Sequence, residues 1–393
     1  MKKLMTKDEV TFNVSVLKKL GKQGIRVILF CFITSFALPA IGAEPAKIAA
    51  IFAKTGIAAA NNAPYSQMIE LAVEELNNQG GLLGHPVELI LLDNISTPLG
   101  SKLAAKKAVK LQVTAVIGAI WSSHSLAAGP VLQEAGIPMI TPISTNPKVT
   151  GIGNYVFRIC FIDSFQGKAM ARFAYDELGA KNAIVLEIIN EQFSLTLAEY
   201  FVKSFTKYGG NMLLKSSYKN DAVDFAVLLK KVKKLQPDVV YVPGYARDSG
   251  LLIKQAVSMG IRTTFLGGDG WNLIYDYGGD TIEGNFHSAA WHPSVPYAKS
   301  IHLQKIYSQK YKNKLTHTGA PLAYDAVMLL ADAVKRAGTL DRSGIRNALA
   351  ETQGFQGAAG TVTFDKQGDP LNKEVIILKL EKGGAAYFKS VKP

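Results

Sequence analysis

Short apolar runs alternate along most of the chain with longer stretches whose apolar positions recur at helical spacing. The run KIAAIFA (Lys47–Ala53) predicts a strand. Tyr65 to Asn78 follows, with Met68, Ile69, Ala72, Val73 and Leu76 on one face; it predicts a helix, ended by Gly80-Gly81. VELILLD (Val87–Asp93) predicts a strand, Leu99 to Leu111 a helix, and TAVIGA a strand. Ser123 to Ala135 predicts a helix closed by Gly136, and Ile137–Thr141 a strand.

The alternation then restarts. Strands are predicted at YVFRI (Tyr155–Ile159), NAIVLEI, NMLLKSS, DVVYVPG and TFLGG. Helices are predicted at Phe165–Leu178, Leu195–Tyr208, Phe225–Leu235 and Ser249–Met259. Apolar runs joined by amphipathic helices imply parallel strands with crossover helices. The expected fold class is therefore α/β, with two doubly wound, Rossmann-like units of similar size. After them come a strand in IEGNFHSAAW, helices at Tyr297–Tyr311, Leu322–Ala337 and Asp341–Glu351, and short β segments GTVTFD, EVIILKLE and AAYFKSV. A chain that appends these pieces to two finished units is expected to cross between them more than once.

Composition narrows the classes. Apolar residues make up 48% and charged residues 19% of the chain, an ordinary globular balance that excludes general disorder. The basic start MKKLMTKDEVTFNVSVLKKLGKQGIR leads into the uncharged VILFCFITSFAL and then PAIGA, the three parts of a secretory signal. Cleavage is expected after Ala43, so residues 1–43 leave and the mature protein is exported. That segment carries seven of the Lys/Arg and two of the Asp/Glu, so the formal charge falls from +13 to 13 − 5 = +8. No basic-aromatic cluster occurs, which argues against nucleic acid. Only Cys160 remains after cleavage, so no internal disulfide is expected.

The stretch AIWSSHSL (Ala119–Leu126) poses the functional question, because it sets hydroxyls and an imidazole where a strand gives way to a helix. A nucleophile with its base is one reading. However, His124 falls in the first helical turn, where it need not reach Ser122, and no G-x-S-x-G elbow occurs. No metal or cofactor is expected: the histidines at 85, 124, 287, 292, 302 and 317 show no HExxH, and GIGNYV and GGDG are not dinucleotide fingerprints. The alternative is an anion cradle, in which helix N-terminal N–H groups and a hydroxyl receive a negative group. A plain helix cap is the third reading of the same serines. ITPISTNP (Ile140–Pro147) tips the balance to the cradle. It places Ser144 and Thr145 in a second polar loop at the carboxyl edge of the neighbouring strand, where open α/β sheets bind ligands.

With these residues assembled, VIGAIWSSHSLAAGPVLQEAGIPMITPISTNP resembles the corresponding stretch of branched-chain amino-acid (Leu/Ile/Val) type periplasmic binding proteins. VEELNNQGGLLGHPVELILLDN, VYVPGY, LIKQAVSMGIRTTFLGGDGW, AYDAV and GTVTFDKQGDP follow in the family's order, so the likeness runs from about Lys47 to the end. The resemblance implies a type I periplasmic binding fold, with two lobes joined by three crossings near Ile162, Ala290 and Ala358. Residues 47–162 with 291–358 would form the first lobe, and 163–290 with 359–393 the second. It implies a monomeric, non-enzymatic receptor that binds an amino acid between the lobes and delivers it to an ABC transporter permease. An amide, a urea-like compound, an aromatic acid, or a sensing role for a signalling partner are the alternatives.

Residue by residue, Ser122 and Thr145 match the hydroxyls that hold the ligand carboxylate, with Ser144 in the same loop. Thr145 and the carbonyl of Ile143 match groups facing the ammonium. Asp269 matches the acid that pairs with it, a role weighed against that of a turn residue between glycines. Phe193 and Tyr245 match aromatic positions on the second wall, and Asn61 a side-chain position. Asp269 is shorter than the glutamate usual there, and Phe193 lacks a tyrosine's hydroxyl. Trp121 replaces a half-cystine, where it would narrow the pocket or stack on a ring.

Overall fold

A computed structural model describes residues 43–371 and 373–392. The expected signal segment lies outside the described residues except for Ala43. The first unit runs β1 (Ala46–Phe52), α1 (Ala59–Asn78), β2 (Val87–Asp93), α2 (Pro98–Lys110), β3 (Ala115–Gly118), α3 (Ser122–Glu134), β4 (Met139–Thr141) and β5 (Val156–Arg158). Its sheet has the order β2-β1-β3-β4-β5, with every pairing parallel. β1 and β3 are buried along nearly their whole length, which is why they read as continuous apolar runs.

The second unit runs α4 (Asp163–Arg172), β6 (Asn182–Ile188), α5 (Gln192–Lys207), β7 (Asn211–Tyr218), α6 (Ala226–Leu235), β8 (Val239–Val242), α7 (Ala246–Ser258), β9 (Thr264–Gly267), the single turn α8 (Tyr275–Gly278) and β10 (Phe286–Ala289). The chain then adds α9 (Ala298–Tyr311), α10 (Pro321–Ala337), α11 (Arg342–Ala350), the pair β11 (Phe355–Gly357) and β12 (Gly360–Val362), and finally β13 (Val375–Glu381) and β14 (Gly384–Val391). The larger sheet has the order β14-β13-β10-β9-β8-β6-β7; β6 to β10 are parallel, and β13 and β14 close it antiparallel. The expected α/β class with two doubly wound lobes is borne out.

Three local differences from the sequence reading bear on the site. α1 begins at Ala59 rather than at Tyr65, and Pro64 lies inside it. Buried Asn62 explains the early start, since its Oδ1 accepts the Ala53 N–H (3.1 Å) just beyond β1. α3 begins at Ser122, one residue early, and no side chain caps it, so the plain-cap reading of the serines falls. The third passage between lobes, expected near Ala358, enters the larger sheet only at Val375. Before that, Phe364 packs on Phe157 (ring centroids 5.4 Å) and the Gly368 carbonyl accepts the Arg158 N–H (3.1 Å), so this run lies along β5.

Glycine is demanded at Gly118, where φ is +130° and a Cβ would meet the Ile51 carbonyl oxygen at 2.5 Å. This close approach lets β3 end beside β1 at the point where strand order reverses. Cys160 is a free, buried thiol. No helix among the described residues is long and apolar enough to cross a membrane.

Arg158, fully buried at the end of β5, organises the loop after β4. Its Nε bonds Asp369, its Nη1 donates to the carbonyls of Ser144 and Asn146 (both 2.8 Å), and its Nη2 donates to Thr150 Oγ1 (2.7 Å) and the Pro147 carbonyl (3.4 Å). Arg158→Ala would leave buried Asp369 without its counter-charge. We expect stability to fall by about 3–5 kcal/mol, read as a lower urea midpoint at unchanged m-value.

Candidate ligand-binding site

The carboxyl ends of the central strands of both sheets face one cavity. The first lobe lines it with Asn61 and Tyr65 from α1, Ile120, Trp121 and Ser122 after β3, and Ile143 after β4. The second lobe contributes Phe193 from α5, Tyr245 after β8, and Asp269, Gly270 and Asn272 after β9. Both sheets thus present the point where their strand order reverses, the usual place for a ligand in open α/β sheets.

Ser122 and His124 are not a nucleophile and its base. Ser122 Oγ accepts the Asn146 N–H (3.2 Å), whereas His124 Nδ1 faces Asn94 Nδ2 (3.2 Å). Burial lowers the His124 pKa to about 4, so the ring is neutral. Ser122 lines the cavity at the amino end of α3, where the first helical N–H groups lack intrahelical partners. The geometry therefore favours the anion cradle.

The second polar loop divides its hydroxyls. Ser144 does not line the cavity: its Oγ is used inside the lobe, on Ser125 Oγ (2.7 Å) and the carbonyls of Ile120 (3.0 Å) and Ala119 (3.2 Å). It corrects the expectation of a ligand contact, because it ties the two cradle loops to each other. Thr145 is also fully buried behind the lining, but its Oγ1 has no partner among the described residues. A buried hydroxyl without a partner is a rare state that a bound ligand would relieve.

Across the cavity, Asp269 opens a short 3₁₀ turn (Asp269–Trp271), and its Oδ1 accepts Gln166 Nε2 (2.7 Å). Burial raises its carboxyl to about 7, opposed by the Gln166 bond. Its glycine neighbour is required, since a Cβ on Gly270 would meet the Gly244 carbonyl oxygen at 2.5 Å. Asp269 is thus a buried acid aimed at the cleft rather than a solvated turn residue.

The aromatic residues bridge the lobes. Trp121 stacks on Tyr245 at 3.9 Å and 10°, and Phe193 lies against Tyr245 at 5.6 Å and 24°. Polar contacts flank the stack. Ser123 Oγ donates to Glu191 Oε2 (3.2 Å), Asn146 Nδ2 to Thr196 Oγ1 (2.8 Å), and Thr318 N–H to Asn272 Oδ1 (2.8 Å). The lobes are closed upon each other in this structure.

Sequence reasoning missed Tyr65, Ile120, Gly270, Asn272 and Gln166. Ile120 sits in an apolar run and looks like core, and Tyr65 reads as the first residue of the predicted helix; Asn272 and Gln166 carry no local signal, because they meet partners distant in sequence.

The chain and its fold are similar to known proteins. Residues 45–385 match the family model described as periplasmic binding protein. The Leu/Ile/Val-binding protein homolog 1 of Brucella abortus is 29% identical over 341 residues, covering 86% of this chain and 91% of the relative. The crystal structure of a leucine binding protein, LivK, from Thermotoga maritima is 34% identical with a TM-score of 0.83, covering 88% of this chain and 99% of that one. LivJ of Streptococcus pneumoniae, solved with isoleucine, is 29% identical with a TM-score of 0.84, covering 89% and 100%. The chain belongs to the periplasmic binding protein family, in its branched-chain amino-acid type. It is a solute-binding receptor and not an enzyme.

Opening the lobes would separate Trp121 from Tyr245. The other described tryptophans are tied within their own surroundings, Trp271 Nε1 to the Val242 carbonyl and Trp291 Nε1 to Ser300 Oγ. Closure by ligand is therefore expected to change intrinsic fluorescence, and Trp121→Phe to lose most of that change. A full signal in Trp121→Phe would place the reporter elsewhere.

Proposed function

We propose that this protein is the extracytoplasmic receptor of an ABC importer and carries an α-amino acid between its lobes. The observation that carries this reading is the buried Asp269 carboxyl across the cavity from the hydroxyl-bearing loops of Ser122 and Thr145. A carboxylate fits the donor side and an ammonium the acid side. Trp121, Tyr245, Phe193, Ile120 and Ile143 leave mostly apolar walls for the side chain, and the Asn61 amide adds one polar point.

The names of the relatives agree: one from Pseudomonas aeruginosa, 27% identical, is a leucine-, isoleucine-, valine-, threonine- and alanine-binding protein. A neighbour from Rhodopseudomonas palustris solved with benzoate is 21% identical and supports the fold alone. The aromatic-acid alternative has two features against it. Trp121 and Tyr245 already touch, leaving no gap for a ring between them, and a simple acid brings no cation to Asp269.

In this proposal the lobes comprise 47–162 with 291–358, and 163–290 with 359–393, the run at 364–369 lying against the first. Ligand seats on the first lobe, and its contacts with the second tip the hinge toward closure. A membrane permease would read the closed form of a monomeric receptor. Export requires removal of residues 1–43, so the intact mass of periplasmic protein should lack that segment; a mature form retaining Met1 would refute it.

Ligand screening by thermal shift should single out aliphatic α-amino acids, since a ligand that binds only the native state raises the melting temperature. Ser122→Ala and Thr145→Ala should each weaken the best amino acid by about 1.5–3 kcal/mol in calorimetry. The ligand ammonium stabilises the Asp269 anion, which burial in the closed cleft disfavours, so binding releases a proton wherever Asp269 of the ligand-free protein is protonated. Affinity should therefore rise with pH by up to about tenfold per unit through the acid range in which ligand-free Asp269 is protonated, then level off. Asp269→Asn should bind weakly and without this slope. If it prefers the amino acid over its deaminated analogue as wild type does, the amino-acid reading fails.

A further inference from the structure

A second acid lies behind the cleft. Asp163 opens α4 where the chain first passes between the lobes, and it is fully buried. Its N–H donates to the Thr145 carbonyl (2.9 Å), which holds the two residues side by side. Neither carboxyl oxygen of Asp163 meets hydrogen-bond geometry with a partner among the described residues, nor does Thr145 Oγ1, although the Thr145 hydroxyl lies near enough to act on the carboxyl as a hydrogen-bond partner. The groups acting on this carboxyl are Thr145 and Arg158 from the first lobe and Asp269 from the second; the last two also act on Cys160, and Asp163 and Asp269 both act on the buried Tyr241 hydroxyl.

Among the described residues, the one cation acting on it is already engaged. Arg158 has its donors on Asp369, Thr150 and the carbonyls of Ser144, Asn146 and Pro147. An ionised carboxylate without exposure, and with at most one hydroxyl beside it, is an expensive state, and the neighbouring Asp269 charge makes it more so. The amino end of α4 favours an anion, a small effect beside the loss of water. Burial accordingly pushes the Asp163 carboxyl well up and Asp269 adds to it, against the opposing Thr145 hydroxyl and Arg158 charge.

We propose that Asp163 keeps its proton at neutral pH and is a positioning residue, whose neutral carboxyl donates to Thr145 Oγ1 and so leaves the Thr145 proton to point at the ligand. An ionised Asp163 would take that proton for itself. The ligand carboxylate would then face an oxygen lone pair and a further negative charge. With Asp163 neutral, Asp269 alone supplies the counter-charge for one ammonium. The role toward ligand rests on the amino-acid reading above; the protonation state does not.

The test has two arms. Ligand-free protein labelled with ¹³C at aspartate carboxyls is titrated by NMR, the Asp163 resonance being the one lost in Asp163→Asn. It should remain at the protonated position at about pH 7; an ionised shift there, as a bridging buried water would permit, overturns the proposal. In the second arm, leucine is titrated calorimetrically. Asp163→Asn retains a donor and should bind within about threefold of wild type with the same pH slope, whereas Asp163→Ala should bind about tenfold weaker. Loss in Asp163→Asn as severe as in Asp269→Asn, or unchanged binding in Asp163→Ala, also overturns it. If wild type binds no amino acid, the amino-acid reading fails and the resonance still decides where the proton is.

Discussion

The guanidinium of Arg158 fixes the shape of the first lobe's binding edge. A buried arginine must find acceptors for a planar set of N–H groups, and here several are main-chain carbonyls of the loop after β4. Pulling the carbonyls of Ser144, Asn146 and Pro147 toward β5 fixes the run that carries Ile143 and Thr145. The same arginine reaches Asp369, in the run that returns toward the larger sheet. One side chain therefore couples the ligand loop to a hinge passage. Such a pair adds less to net stability than to uniqueness of arrangement, since its desolvation offsets much of its attraction.

Closure rests on groups that need no ligand. The Trp121–Tyr245 stack and the hydrogen bonds from Ser123, Asn146 and Thr318 span the cleft directly. An aromatic pair contributes about 0.5–1.5 kcal/mol beyond its buried area, and the exposed parts of the hydrogen bonds contribute less. Ligand contacts with both walls add to these, and moving such a balance from 1:99 to 99:1 takes about 5.5 kcal/mol of differential affinity. The run between β11 and β12, near Ala358, is held by another buried acid. Asp325 from α10 accepts the N–H groups of Ala358 and Ala359 (2.6 and 2.7 Å), and Lys373 donates to the Ala359 carbonyl (2.6 Å).

Electrostatics separates the two walls. The first offers hydroxyls and helix N–H groups, the second a carboxyl, and burial strengthens both because water no longer screens them. Among the described residues the side-chain donor to Asp269 Oδ1 is Gln166 Nε2, which also bonds Ser288 Oγ (3.0 Å). That arrangement holds the carboxyl in place while leaving it only partly satisfied, the state in which a ligand's cation has most effect.

Much of the fold was legible because its central strands are buried on both faces and its helices on one, so β1, β3, β6 and α5 wrote their periods into the chain. The candidate cradle at Ser122 and Thr145 stood out in the chain for the same reason: polar residues interrupt apolar runs where strands end. Asp269 was visible between glycines that let the backbone crowd. Four things were decided only in three dimensions. Ser144 and Thr145 are adjacent hydroxyls, yet one is used within the lobe and the other is left open. Asn62 extends α1 past a proline through a bond to Ala53. The run at 364–369 lies along β5 before joining the other sheet. Asp163 and Gln166 acquire their significance from Thr145 and Asp269, far away in the chain. Periodicity reports how a residue sits against its own element; which distant group satisfies a buried polar atom is set by packing between elements, and no local pattern records it.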